Sequence, residues 1–171
     1  IPASFLLRRQ HLRNLVPRWG GSYNAMQAFV TESQAMVDSN PRLRALDGYI
    51  VLDYAEVYEL RKNRAEAFAN YDRALTYGDE ADFHLERGQT LLRADSARDA
   101  LIDLDSAVTG SPGNSQAYLW RGAAREQLWH ADQKRRDLAV SALSDYQHAL
   151  MLAPMDDHAV GLFLHLYRIL H

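Results

Sequence analysis

The chain has 171 residues, 24% of them charged, with 19 basic and 22 acidic side chains for a net charge of −3. Such a length is one domain's worth and buries roughly 70% of its unfolded surface. There is no cysteine, which excludes a disulfide framework, a thiolate nucleophile and a cysteine-based zinc site, and the slightly acidic balance removes any global electrostatic case for nucleic acid.

Alanine and leucine supply 48 residues, valine and isoleucine 12. The first pair favours helices and the second favours strands, so an all-α chain is expected. No run of ~18 apolar residues exists to span a bilayer. The opening Ile1-Pro2-Ala3-Ser4-Phe5-Leu6-Leu7 is too short for a signal sequence, and Arg8 and Arg9 follow it instead of preceding it. Lacking an initiator Met, the chain is expected to be processed or excised from a longer one. The missing cysteine is compatible with cytoplasm or periplasm and decides neither; the cytoplasm is the first expectation and the periplasm the alternative.

Residues 1–47 form a first, non-repeating unit. Phe5, Leu12 and Leu15-Val16 give an apolar stripe that Pro17 breaks. Gly20-Gly21 permits a positive-φ turn, and Trp19 is expected to bury against the first helices. Ser22 is placed as the N-cap of a helix to about Val37, with Ala25, Met26, Phe29, Val30 and Met36 inward. Asn40 caps again, Pro41 suits a first helical position, and the next helix runs through Gly48 to about Arg61. This front is mildly basic, with Arg8, Arg9, Arg13, Arg18, Arg42 and Arg44 against Glu32, Asp38 and Asp47.

From residue 48 the chain repeats. Gly88, Ala100, Leu104, Ala107 and Pro112 are spaced by 12, 4, 3 and 5. Gly122, Ala142, Tyr146, Ala149 and Pro154 keep the last three spacings and lengthen the first to 20. Ala55, Ala67, Tyr71 and Ala74 repeat the 12, 4 and 3. A period near 34 means stacked helix-turn-helix pairs. Small residues mark where helices touch, Tyr71, Leu104 and Tyr146 are the knobs between them, and the prolines end each second helix. Asp95-Ser96 marks a tight turn able to cap the helix after it. The expected organisation is a single helical domain over 1–171. Its repeats are 48–80, 81–114 and 115–156, the last with an eight-residue insertion near 128–136. Residues 157–171 form a capping helix with a Val160, Leu164, Tyr167-Arg168 stripe. The insertion is expected to lengthen two helices by about a turn each. Trp129 would fold back, Lys134, Arg135 and Arg136 would stay in solvent, and the four together would form a secondary contact surface.

Over residues 48–171 these positions resemble the tetratricopeptide repeat (TPR) family. The second helices match well, while His84, Arg87 and Leu91, and Tyr118, Arg121 and Arg125, depart from the family's first helix. The resemblance implies an all-α, right-handed α-α superhelix, a solenoid of antiparallel helix pairs with helical caps at both ends. Residues 2–35, through Leu15-Val16-Pro17-Arg18-Trp19-Gly20-Gly21-Ser22-Tyr23, are similar to a family of uncharacterised bacterial proteins that join an upstream domain of unknown function to TPR-like helices. No activity follows from that likeness.

Residues suited to catalysis are missing. The seven histidines include no His-Glu-x2-His, and His158 and His165 lie about 10.5 Å apart along a helix, too far for one metal. There is no phosphate loop and no Gly-x-Ser-x-Gly. The sequence predicts no catalytic residue, no metal, no cofactor and no enzyme.

The TPR resemblance implies that first helices line a concave groove. It offers Tyr49, Leu52, Asp53, Glu56, Glu59 and Leu60 from the first repeat. The second adds Asp82, Leu85, Glu86, Gln89, Leu92 and Arg93. The third adds Gln116, Leu119, Trp120, Ala123, Glu126 and Gln127. Six of the eighteen are acidic and one is basic. The basic set that grips a terminal carboxylate in some members is absent. The expected partner is another protein, presenting a basic or partly apolar peptide or helix, with neither nucleic acid nor a membrane span involved. The sequence thus predicts a non-enzymatic interaction scaffold, for bacterial secretion, envelope assembly, chaperoning or toxin neutralisation. The alternative is the C-terminal recognition or regulatory domain of a larger bacterial enzyme or effector. Oligomeric state is not legible.

Overall fold

The computed structural model describes residues 3–171, so Ile1 and Pro2 of the opening apolar run lie outside it. Among the described residues there are nine α-helices and no strand. They are α1 Phe5–Asn14, α2 Tyr23–Gln34, α3 Leu46–Leu60, α4 Arg64–Leu75, α5 Ala81–Arg93, α6 Ala97–Gly110, α7 Ser115–Ala131, α8 Arg136–Leu152 and α9 Asp157–Leu170. Short 3-10 turns occupy Pro17–Trp19 and Pro41–Ala45. No helix among the described residues is long and apolar enough to cross a membrane. The helices gather into two compact units, Ile1–Phe83 and His84–His171, each with its own apolar core.

In the first unit, sequence signals set the helix starts. Ser22 accepts a hydrogen bond from the Ala25 amide at 3.1 Å and caps α2. Asn40 accepts one from the Arg42 amide at 3.2 Å ahead of Pro41. These bonds satisfy amides that the first turn leaves without partners. The α2 helix stops at Gln34, short of the expected Val37, and hydrogen-bonded turns complete the span. Met26, Val30 and Val37 are buried from this segment, with Ala25, Phe29 and Met36 partly so. Phe5, Leu12 and Val16 join them from the front of the chain, and Ala67, Tyr71 and Ala74 from α4. Helix α3 buries eight residues, Leu46 and Gly48 through Asp53 with Ala55, and is the centre of the unit.

Trp19 corrects an expectation. It is 75% exposed. The turn that carries it aims Arg18 at carboxylates on α3, and the next side chain therefore faces solvent. Gly20 takes φ +87, and a side chain at Gly21 would collide with the Leu15 carbonyl. The two glycines thus close a tight turn that other residues would strain or block.

In the second unit small residues oppose large ones as the repeat requires. A Cβ on Gly88 would lie 2.8 Å from the Leu104 side chain, and one on Gly122 would lie 2.6 Å from the Tyr146 ring. Ala100, Ala107, Ala142 and Ala149 are at most 1% exposed, as are Leu104 and Tyr146. Helices α6 and α8 end at Gly110 and Leu152, each two residues before its proline. Asn114 and Asp156 cap α7 and α9 with side-chain oxygens. Ser96 stands at the N-cap of α6 without a side-chain cap bond, and Asp95 makes the turn with φ 60.

The insertion extends both its helices. Helices α7 and α8 have 17 residues each, against 13 and 14 in α5 and α6. Trp129 is buried at 8% exposure, while Lys134, Arg135 and Arg136 are exposed. Arg135 pairs with Asp137 at 2.9 Å, and Arg136 donates to the Leu170 carbonyl at 2.8 Å. The expected stripe of α9 is out of register. Ala159 and Leu166 are buried, with Leu162, Phe163 and Leu170 packed against the core. Leu164 and Tyr167 are 43% and 45% exposed. This helix is apolar on two faces, so periodicity alone could not choose between them.

Candidate functional site

First-helix residues sort into two sets, those that hold the helix pairs together and those on the remaining face. The buried charges belong to the first set. Arg87 donates from Nε and Nη2 to Asp103 at 2.8 and 2.7 Å, and His84 Nδ1 lies 2.7 Å from the same carboxylate. Arg121 and Arg125 each donate to Asp145 at 2.6 Å. Arg87 and Arg121 immediately precede Gly88 and Gly122, and Asp103 and Asp145 immediately precede the knobs Leu104 and Tyr146. Four of the departures from the TPR first-helix pattern, His84, Arg87, Arg121 and Arg125, therefore form a repeated lock between first and second helix. Burial alone would raise the Asp103 carboxyl, but bonds from His84 and Arg87 outweigh it and hold the group below the usual carboxylate range. The first repeat has Tyr54 and Asn70 at these places.

A second repeated device claims two expected groove acids. Tyr146 donates to Glu126 at 2.5 Å, and Tyr71 donates to Glu59 at 3.2 Å. Each glutamate lies four residues after the small first-helix residue, Gly122 or Ala55. Where the knob is Leu104, that place holds Leu92, which is also buried. A tyrosine knob thus brings a glutamate acceptor and a leucine knob does not, because a buried hydroxyl needs a partner. Burial first, and the Glu126 bond second, push the Tyr146 hydroxyl pKa up. Glu126, 8% exposed, is a packing residue in this arrangement.

The first unit brings Tyr49, Asp53, Glu56 and Asp82 together with arginines that sequence reading left elsewhere. Arg18 donates to Asp53 at 2.6 Å and also to Glu56. Tyr23 donates to the other Asp53 oxygen at 2.8 Å. Arg9 donates to Asp82 at 3.0 Å, where Tyr49 donates too, also at 3.0 Å. Arg13 approaches Asp82 at 3.9 Å, and Arg42 forms a two-bond fork with Glu80 at 2.8 and 2.6 Å. Tyr49 and Asp53 are each 4% exposed. The open acidic surface expected from Asp53, Glu56 and Asp82 is therefore corrected: the basic front of the chain already occupies it and neutralises it in part. Burial lifts the Glu56 carboxyl above its ordinary range, and Arg18 only partly offsets this. For Arg18, burial would lower the pKa, but Glu56 and Asp53 together raise it.

The second unit displays a different face. Arg93 donates to Gln89 at 3.0 Å and lies over the Trp120 ring at 5.5 Å from its centroid. Gln116 donates to Asp156 at 3.0 Å, and His158 meets Trp120 edge-on at 6.3 Å. Glu86 is half-buried, and the expected apolar floor of Leu85, Leu92 and Leu119 is buried. This face is mixed polar and aromatic. Among the described residues no group of three or more His, Cys, Asp or Glu is placed to hold a metal ion.

No protein-family model matches the sequence. Solved structures do match its shape. The first TPR domain of Spaghetti (RPAP3), bound to the HSP90 peptide SRMEEVD, is 21% identical with a TM-score of 0.65, over 72% of this chain and 92% of that one. The Arabidopsis OM64 TPR domain is 24% identical with a TM-score of 0.65, over 73% and 98%. The MamA RS-1 ArsTM double mutant is 16% identical with a TM-score of 0.62, over 93% and 83%. With the helix pairs and the small-against-large register described above, these likenesses establish a TPR-like, all-α fold.

Proposed function

We propose that the chain is a non-enzymatic protein-interaction scaffold whose first unit receives an arginine-bearing, partly apolar peptide or helix of a partner protein. One observation carries this reading. The α3 face already holds an arginine: two carboxylates accept from Arg18, and the Tyr23 hydroxyl holds the other oxygen of Asp53. Guanidinium–carboxylate pairs of this kind supply both orientation and charge complementarity. The TPR-like fold supports the reading by analogy, since the matched Spaghetti domain holds a peptide. The chemistry differs from that neighbour: its peptide SRMEEVD is rich in carboxylates, and the face here carries Asp53, Glu56 and Asp82. A peptide panel tests the proposal by fluorescence anisotropy. Basic amphipathic peptides bind the full chain, and an acidic peptide ending Glu-Glu-Val-Asp does not. The reverse preference overturns it.

A further inference from the structure

The turn Pro17–Trp19 combines three features that belong together. It buries none of its residues. Its backbone is closed on itself, with the Trp19 amide donating to the Val16 carbonyl at 3.0 Å and the Gly20 amide to Pro17 at 3.1 Å. Its attachment to α3 is through Arg18, whose side chain is 42% exposed while that of Asp53 is 5% exposed. Asp53 sits inside, Glu56 is 22% exposed, and the guanidinium comes to them from the solvent side, as a ligand's would.

The neighbouring helix is different. Phe5, Arg8 and Leu12 of α1 are at most 4% exposed. Arg8 donates to Ser33 at 2.7 Å and lies over the Phe29 ring at 5.3 Å. Helix α1 is therefore part of the core, whereas Arg18 is a long, flexible arm whose removal uncovers no apolar core residue of its own turn. Two carboxylates share its single positive charge, so the subsite keeps a net negative charge that favours a further cation. Both bonds come from Nη2 of Arg18, so one charged nitrogen bridges the two carboxylates.

We propose that Arg18 is a built-in occupant of the Asp53–Glu56–Tyr23 subsite, which an external arginine-bearing segment takes by displacing it. This rests on the scaffold reading above and adds a competitor within the chain. A site that is open a tenth of the time binds about tenfold more weakly than an open one. Removing the arm therefore strengthens binding instead of weakening it.

The test uses the full chain and a labelled peptide with the sequence of residues 15–23, Leu-Val-Pro-Arg-Trp-Gly-Gly-Ser-Tyr. Its affinity is measured for the wild type, Arg18→Ala and Arg18→Gln, with folding checked by circular dichroism. The expected result is binding at least about tenfold tighter to both variants. The gain is lost when the peptide's arginine is replaced by alanine or when Glu56→Gln is added. Equal affinity for wild type and both folded variants overturns the proposal. If other basic peptides bind the wild type and Arg18→Ala alike, the built-in occupant fails while the scaffold reading stands. If no basic peptide binds any form, both fail. Should Arg18→Ala not fold, the wild type decides by NMR. Displacement moves the Arg18 Nε–H resonance toward its solvent-exposed position as a basic peptide binds, and an unmoved resonance in the bound state overturns the proposal.

Discussion

At the residue scale, the sites that make the repeat visible are those with no room to vary. Gly122 faces a tyrosine ring at 2.6 Å and Gly88 the end of a leucine at 2.8 Å. A ring held on both sides yields less readily than a leucine terminus, so Gly122→Ala is expected to lose about 1–3 kcal/mol and Gly88→Ala less. Urea midpoints at matched slopes measure both. Buried carboxylates make the second residue-scale prediction. The folded Asp103 carboxyl is depressed, so its contribution is present above the unfolded value near 3.9 and is lost as pH falls through the folded one. Asp103→Asn should cost roughly 3 kcal/mol at pH 7, since one partner of a buried pair is removed. The gap to wild type should narrow below about pH 4. A gap independent of pH would show that the carboxylate's charge is not what closes α5 onto α6.

At the element scale, sequence reading succeeded where one residue type has one physical use. Ala67, Ala100 and Ala142 are at touching positions and are fully buried. The caps at Ser22 and Asn40 and the longer pair around the insertion were legible for the same reason. It failed where a residue has two uses. The sequence marks Arg87 and Arg121 only as departures from the TPR first helix and singles out neither Asp103 nor Asp145, yet the four close the helix pairs. The clue was present in the second and third repeats, an arginine before the glycine and an aspartate before the knob. Trp19 read as core because it is large and apolar, and the Arg18 ion pairs turn it outward. Helix α9 makes the ambiguity testable. Leu166→Ala, at a fully buried site, is expected to cost about 2–5 kcal/mol. Leu164→Ala, on the exposed face, should lie within about 0.5 kcal/mol of wild type. Equal costs in thermal or urea unfolding would return the helix to the register that the sequence suggested.

At the scale of the whole molecule, the net charge of −3 conceals an arrangement. Arg18 is placed on the carboxylates of α3, Arg9 and Arg13 on Asp82 at the start of α5, and Arg42 on Glu80 just before it, all inside the first unit. A surface that composition presents as an acidic groove is therefore partly filled from within. What sequence could not supply was this pairing, because Arg18 and Asp53 are 35 residues apart and belong to no common motif. The candidate site was legible as a set of acids and illegible as an occupied one. The most direct measurement is the affinity of a basic amphipathic peptide for the wild type and for Glu56→Lys, at two salt concentrations. Binding to the wild type is expected to weaken several-fold as salt rises and the Debye length falls below about 10 Å, and to be lost in Glu56→Lys. Binding that is indifferent to both salt and Glu56→Lys would contradict the scaffold reading.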